Sequence, residues 1–413
     1  MKHTDIVIIG AGQAGLAMSR CLSARGIAHI VLERGRIGER WRSERWESLR
    51  LLTPNWMTRL PGGGYDGPDP DGFMTMPETV RFLEGYAHSI AAPVESGVAV
   101  KSVKRSGDGY RVVTDAGEWM ARGLVIATGH CDQPRIPLMA SRLGRRILQV
   151  VPRDYRRPGQ LPEGGVLVIG ASASGIQLAE EIHASGRPVT LSIGHHTRLP
   201  RRYRGHDILW WLDRLGSLRK ARTEVHPHDT QREEPSLQLI GSPDHRSIDL
   251  ALLQRKGVRL VGRATAARGR RLRFAADLLQ TTAAAELRLL RILNGIDAAA
   301  EQGFGEVAAR EAAEPILLSG GAAELDLDRE GIRTVVWATG YRRSYPWLHI
   351  PVLDACGEIV HDGGVCPLAG IYVLGLNFMR RRNSSFIDGV GADAEALAAH
   401  IAGFLGLRRR SAA

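Results

Sequence analysis

A short apolar run, a glycine-rich turn and a helix-like segment occur in the same order twice in this chain, and few folds accommodate that. The first copy is Ile6-Val7-Ile8-Ile9 followed by Gly10-Ala11-Gly12-Gln13-Ala14-Gly15. The run reads as a buried parallel strand, Gln13 to Arg25 as a helix with Leu16, Ala17 and Leu22 inward, and His29 to Glu33 as the next strand. This is a βαβ unit with G-x-G-x-x-G at its first turn, an arrangement that cradles a dinucleotide. Gly10 makes the tight turn, Gly12 admits a pyrophosphate to the backbone, and Gly15 lets helix and strand pack closely. The helix N-terminus, with Gln13 and Ala14 in its first turn, faces the phosphates. Glu33 ends the second strand, where a carboxylate accepts hydrogen bonds from an adenosine ribose.

The second copy is Val166-Leu167-Val168-Ile169, the turn Gly170-Ala171-Ser172-Ala173-Ser174-Gly175, a helix from Ile176 to Ala184 and a strand from Pro188 to Ile193. Ser172 stands where the middle glycine stood and adds a small side chain beside the pyrophosphate. The position equivalent to Glu33 is Ile193, with no carboxylate near it. Ser192, His195, His196, Arg198, Arg201, Arg202 and Arg204 surround it instead. An acid there repels an adenosine 2′-phosphate, and arginine holds one. The first unit therefore suits FAD. The second suits NADPH rather than NADH, with Gly170, Ser172, Ser174, Gly175, Ser192, Arg198 and Arg201 as its contacts.

Between and after these units the chain is less regular. Residues 34–77 are rich in Pro, Gly and Asp and read as a loop covering a site, with Arg34, Arg40, Trp41 and Arg42 placed to wrap a flat cofactor. Two buried strands end in Ala-Thr-Gly, which assigns Thr128 and Gly129, then Thr339 and Gly340, to nucleotide contact. Phe274 to Ala300 reads as a long helix with Leu279, Ala283, Leu287, Leu290 and Leu293 on its apolar face, serving as packing or as a substrate wall. A C-terminal helix opens at Gly389-Val390-Gly391, its N-terminus aimed at the pyrimidine end of a flavin. The fold class is α/β with two Rossmann-like dinucleotide-binding domains, the NADP domain inserted in the FAD domain. The expected boundaries are 1–150 for the first part of the FAD domain, 151–332 for the NADP domain with its helical insertion, and 333–413 for the return segment.

Composition excludes other classes. The 413 residues carry a net charge of +11, nearly all of the excess from arginine, but no basic block with interleaved aromatics, so no nucleic-acid partner is expected. No apolar run approaches a membrane span. The N-terminus enters a strand within a few residues, which leaves no room for a signal peptide and predicts a cytoplasmic protein. Cys21, Cys131, Cys356 and Cys366 form no C-x-x-C and read as free thiols. His226, His228 and Asp229 lack ligand spacing, so no metal is expected. A homodimer is compatible with the sequence, which does not decide oligomeric state.

The two dinucleotide turns and the two Ala-Thr-Gly strand ends resemble the class B flavin-dependent monooxygenases, which include the flavin-containing monooxygenases, the Baeyer–Villiger enzymes and the plant auxin-synthesis monooxygenases. Ser48 to Trp56, Tyr65 to Gly72, Pro200 to Gly205 and Phe386 to Gly391 resemble a bacterial branch of these flavoproteins. The resemblance implies that NADPH reduces FAD, that reduced flavin and O2 form a C4a-(hydro)peroxide, and that one oxygen passes to a small organic substrate at N or S, or at a ketone. It also implies that Asn55 supplies an amide near the flavin edge. An NADPH-dependent flavoprotein reductase without oxygenation has the same fold.

One departure stands out. The class usually carries F-x-G-x-x-x-H-x-x-x-Y/W between the nucleotide units. With Tyr155 as the tyrosine, the histidine position is Val151, and Ile147 and Arg145 replace the glycine and phenylalanine. Valine cannot hydrogen-bond, and Pro152 removes a backbone donor beside it. Looser registry of the domains is expected, favouring heteroatom oxygenation or peroxide leakage over ketone insertion, unless Tyr155 or Arg153 substitutes for the histidine.

Overall fold

In a computed structural model the two glycine turns top two separate sheets, the first mixed and the second parallel. The structure describes residues 1–224, 237–303, 307–312, 316, 318 and 321–406. His226, His228 and Asp229 lie outside the described residues, among which no group of His, Cys, Asp or Glu could hold a metal ion. No helix of the described residues is long and apolar enough to cross a membrane.

The first sheet is built on β1 (Lys2–Ile9), flanked in parallel by β2 (His29–Glu33) and by the long strand β3 (Gly117–Ile126). The second half of β3 also pairs in parallel with β4 (Ile371–Val373), so the C-terminal part of the chain completes the first sheet. Residues Ile6, Val7 and Ile8 are wholly buried, as a strand covered on both faces requires. Helix α1 (Gln13–Ser23) follows the first turn and packs against the C-terminal helix α2 (Ile387–Phe404).

The second sheet is entirely parallel. Its strands, in spatial order, are Leu148–Val150, Ile332–Trp337, Gly165–Ile169, Val189–Ser192 and Arg259–Val261. Its turn leads into the helix Ala173–Ala184. This corrects the expected boundaries: 332/333 cuts the strand Ile332–Trp337, and 150/151 separates Leu148–Val150 from the sheet it belongs to. Ala338-Thr339-Gly340 likewise closes the second sheet instead of returning to the first. Both connections between the sheets run side by side, with Gln133–Pro134 antiparallel to Tyr341–Arg342. Apolar patterning locates strands but does not say which sheet a strand joins, because partner choice is a long-range property.

The long helix spans Leu278–Glu301, while Phe274 ends a strand of a small antiparallel ribbon. Leu289, Leu293 and Ile296 pack on Trp211, Tyr203 and Met57 in a third apolar cluster. The expected apolar face is thus largely reversed: Leu279 and Leu287 are 60% and 65% exposed. The helix is a packing element and does not border the main cavity.

Candidate active site

The two turns are built alike. Gly10 and Gly170 have φ of +107° and +106°, where side chains are strained, and a Cβ on either would strike the carbonyl of Ala127 or Ala338 at 2.7 or 2.4 Å. A Cβ on Gly15 or Gly175 would lie 1.9 or 1.7 Å from the carbonyl oxygen of Gly10 or Gly170. The register is also shared: Gly10 N–H donates to Leu32 O at 2.8 Å and Gly170 N–H to Ser192 O at 3.0 Å. That equivalence puts Ile193 on the position of Glu33.

Gly12 differs from these packing glycines. No atom lies within 4 Å of a Cβ built on it, and it borders a cavity of about 750 Å³. Its lack of a side chain meets no packing demand of the protein and leaves backbone open to the cavity. Glu33 fixes the turn from behind, its carboxylate accepting from Ala11 N–H at 2.8 Å and Gly35 N–H at 2.9 Å while still bordering the cavity.

Three helices of eleven or more residues point an N-terminus without a side-chain cap at this cavity: α1 after Gly12, Ala173–Ala184 after Ser172, and α2 after Phe386. The helix Met76–Ser89, which lies elsewhere, has a complete Thr75–Glu78 capping box. Uncapped N-termini present donors and partial positive charge, which favours anions.

The cavity wall includes Gln13, Ala14, Arg34, Arg40, Trp41, Thr128, Gly129 and Ser174 of the expected contacts. Trp41 donates to Gln13 Oε1 at 3.3 Å, and Arg40 pairs with Asp132 and Glu44. Sequence reasoning missed Trp46, Leu49, Cys131, Gln177, Asn377 and Phe386, which also line the wall. None belongs to a recognisable spacing; tertiary packing delivers them from five separate segments.

Other expected contacts are placed elsewhere. Asn55 is buried and spent on its own loop: Nδ2 donates to Asp69 O and Oδ1 accepts from Met74 N–H, both at 2.9 Å. It is a structural staple and does not face the cavity. Arg42 pairs with Glu84 of the neighbouring helix. Ser192 is buried, donating to Gly262 O and accepting from Ala264 N–H. Thr339 donates to Arg135 O, and Arg135 N–H donates to Gly340 O, so both residues serve the inter-sheet ribbon. Gly391 is a packing glycine, since its Cβ would meet the Pro61 ring at 3.0 Å, and α2 begins at Ile387, one turn before it.

The arginines expected at the 2′-phosphate are also structural. Arg198 is buried between Asp249 and Glu286 at 2.8 and 2.7 Å. Arg201 is wholly buried, donating to Leu52 O and Asp207 and lying over Phe73. Charge density along a sequence does not tell a solvated cation from one neutralised inside the fold. The cation at the strand end is Arg263, whose Cδ would be 3.9 Å from a Cβ on Gly194; its side chain is 60% exposed and touches Asp277 at 3.3 Å. His195, next to Gly194 in the chain, is exposed.

Cys131 is half-buried in the cavity wall beside His130. Burial pushes its thiol up, but the hydrogen bond and charge of His130 and the nearby Arg45 and Arg40 outweigh that and leave it below the ordinary thiol range. Iodoacetamide should therefore alkylate Cys131 in FAD-stripped protein at pH values where an ordinary thiol is protonated, and bound FAD should slow this by about tenfold or more. Equal labelling with and without FAD, read by peptide mass mapping against Cys131→Ser, would remove Cys131 from the cofactor wall.

Two uncapped dinucleotide turns facing one cavity define a two-cofactor flavoprotein oxidoreductase. A family model described as pyridine nucleotide-disulphide oxidoreductase matches residues 7–229, and the chain belongs to that family. A CzcO-like oxidoreductase of Geobacillus kaustophilus is 33% identical over 96% of this chain and 98% of its own length. Indole-3-pyruvate monooxygenase YUCCA1 of Oryza sativa is 30% identical over 47% of this chain and 49% of its own. In overall fold the chain is similar to a flavin-containing monooxygenase from Stenotrophomonas maltophilia, with a TM-score of 0.67 at 19% identity over 98% and 100% of the two chains. The protein is a flavin-dependent oxidoreductase of this family, and its cofactors are FAD and NADPH. Cys21, Cys131, Cys356 and Cys366 are all unpaired in the structure.

Proposed function

We propose that the protein is an NADPH-dependent monooxygenase that oxygenates a small organic substrate at a nucleophilic N or S atom. The observation that carries this reading is the convergence of both dinucleotide turns on one cavity. Ala173 and Ser174 of the second unit border the same space as Gly10, Gly12 and Glu33 of the first.

FAD held in this cavity would supply the redox chemistry, as hydride acceptor and site of O2 activation. The chain's own residues bind, orient and shield. The backbone donors opening α1 hold the pyrophosphate, and Glu33 takes the ribose. The N-terminus of α2, at Phe386 and Ile387, favours negative charge on whatever faces it. Trp41, Trp46, Leu49, Leu51 and Phe386 exclude water from the wall. Arg263, with exposed His195, would hold the 2′-phosphate beyond the end of the strand Val189–Ser192. Val151 is buried and packed among Ile147, Leu167 and Val335, so the position usually held by the fingerprint histidine offers no proton or hydrogen bond. A heteroatom lone pair does not need that group as a ketone adduct does.

Steady-state NADPH oxidation with panels of sulfides, amines, ketones and indole-3-pyruvate, with peroxide measured alongside, tests this. Sulfides or amines should yield oxygenated products and lower the peroxide fraction. Efficient ester formation from ketones with little peroxide would overturn the N/S assignment. Electron delivery to a dye with no oxygenated product in any arm would assign a reductase instead.

A further inference from the structure

Val151 offers no hydrogen bond across the two sheets, but Arg156, five residues on, makes several to the part of the chain that follows the first sheet's strand His29–Glu33. Arg156 follows Tyr155 in the crossover between Leu148–Val150 and Gly165–Ile169, both strands of the second sheet. Its guanidinium donates to Ser43 O through Nη2 and to Arg45 O at 3.1 Å through Nη1, and its own carbonyl accepts from Glu47 N–H at 2.9 Å. Nη1 also donates to Arg153 O and Tyr155 O, which fixes the side chain against its own backbone. Three hydrogen bonds thus join one linker residue to the strip 43–47.

That strip is part of the cofactor wall. Ser43 ends the helix Glu39–Ser43, which carries Arg40 and Trp41, and Glu44, Arg45 and Trp46 follow it along the cavity. A helix of five residues is too short to persist by itself, and its last carbonyls have no partner within it. A guanidinium there satisfies carbonyls at the negative end of the helix. Trp41, held to Gln13, and Arg45, 5.4 Å over the Trp41 ring, transmit that position to the first glycine turn.

We infer that Arg156 is a positioning residue for FAD: from the linker of the NADP side, it caps the helix Glu39–Ser43 and sets the wall Arg40–Trp46 against the flavin cofactor. The pairing is specific to the planar fork of arginine, which meets two carbonyls at once. It is independent of which substrate atom is oxygenated.

FAD titration of the apoprotein, followed by flavin fluorescence, tests this. In Arg156→Ala the FAD dissociation constant should rise roughly tenfold to a hundredfold. The dissociation constant for NADP+ should stay at the wild-type value, which a general loss of structure would not allow. Added guanidinium at millimolar concentration should restore FAD affinity and the visible circular dichroism of the bound flavin. Arg156→Lys should be intermediate, and it carries the test if the alanine variant does not fold. Arg157→Ala, which removes only an exposed 3.5 Å contact to Glu47, should match wild type. Unchanged FAD affinity in Arg156→Ala, or equal weakening of FAD and NADP+ without rescue by guanidinium, would overturn the inference.

Discussion

Gly12→Ala should fold as stably as the wild type and yet lose FAD. The backbone at Gly12 has φ of −83°, which alanine adopts freely, and open space surrounds the missing Cβ. Apo stability should change by less than about 1 kcal/mol, with a slight gain from reduced chain entropy. The new methyl occupies the place where a pyrophosphate approaches the backbone, and overpacking costs ~1–3 kcal/mol, a roughly tenfold to hundredfold loss of FAD affinity. Gly15→Ala should do the opposite. Its Cβ would overlap the Gly10 carbonyl oxygen at 1.9 Å, so helix and turn must separate. On the order of 3 kcal/mol of stability is at stake, a large share of a typical domain's margin. Thermal unfolding of the apoproteins and FAD titration separate the two outcomes. If Gly12→Ala holds FAD as tightly as wild type, the first turn is not the pyrophosphate site.

Arg198→Ala should lower stability by about 3–5 kcal/mol without a selective loss of NADPH preference. Removing the guanidinium leaves Asp249 and Glu286 facing a buried site with their shared partner gone. Arg263→Ala should show the reverse pattern. The side chain is largely exposed, so folding should be almost unaffected. The ratio of kcat/KM for NADPH to that for NADH should fall roughly tenfold, as expected for one charge-assisted contact to phosphate. The test is the pair of measurements on both variants. A stable Arg198→Ala enzyme that has lost its NADPH preference would return the 2′-phosphate to Arg198.

The linker illustrates a different kind of legibility. Val151 was readable as a departure, and valine's inability to hydrogen-bond was a sound inference. What it did not reveal was Arg156, which reaches from position 156 to the carbonyls of Ser43 and Arg45. Such a bond leaves no spacing pattern: a side chain that seeks main-chain carbonyls places no constraint on the residue types it meets. Asn55 shows the same limit, since an amide reads alike in sequence whether it faces a flavin or secures its own loop.

What the sequence determined by itself was everything that rests on local geometry. The turns of Gly10 and Gly170 require φ values that glycine alone adopts readily, and alternating element types force parallel sheets, so the two dinucleotide units and the absence of an acid at Ile193 were legible. The tertiary structure decided what depends on which distant groups meet. It assigned Ile332–Trp337 to the second sheet, buried Arg198 and Arg201 against carboxylates, and left Arg263 exposed at the strand end. The physical reason is that backbone preference acts over a few residues. The neutralisation of a charge and the pairing of a strand are instead settled by partners that the chain brings from far along its length.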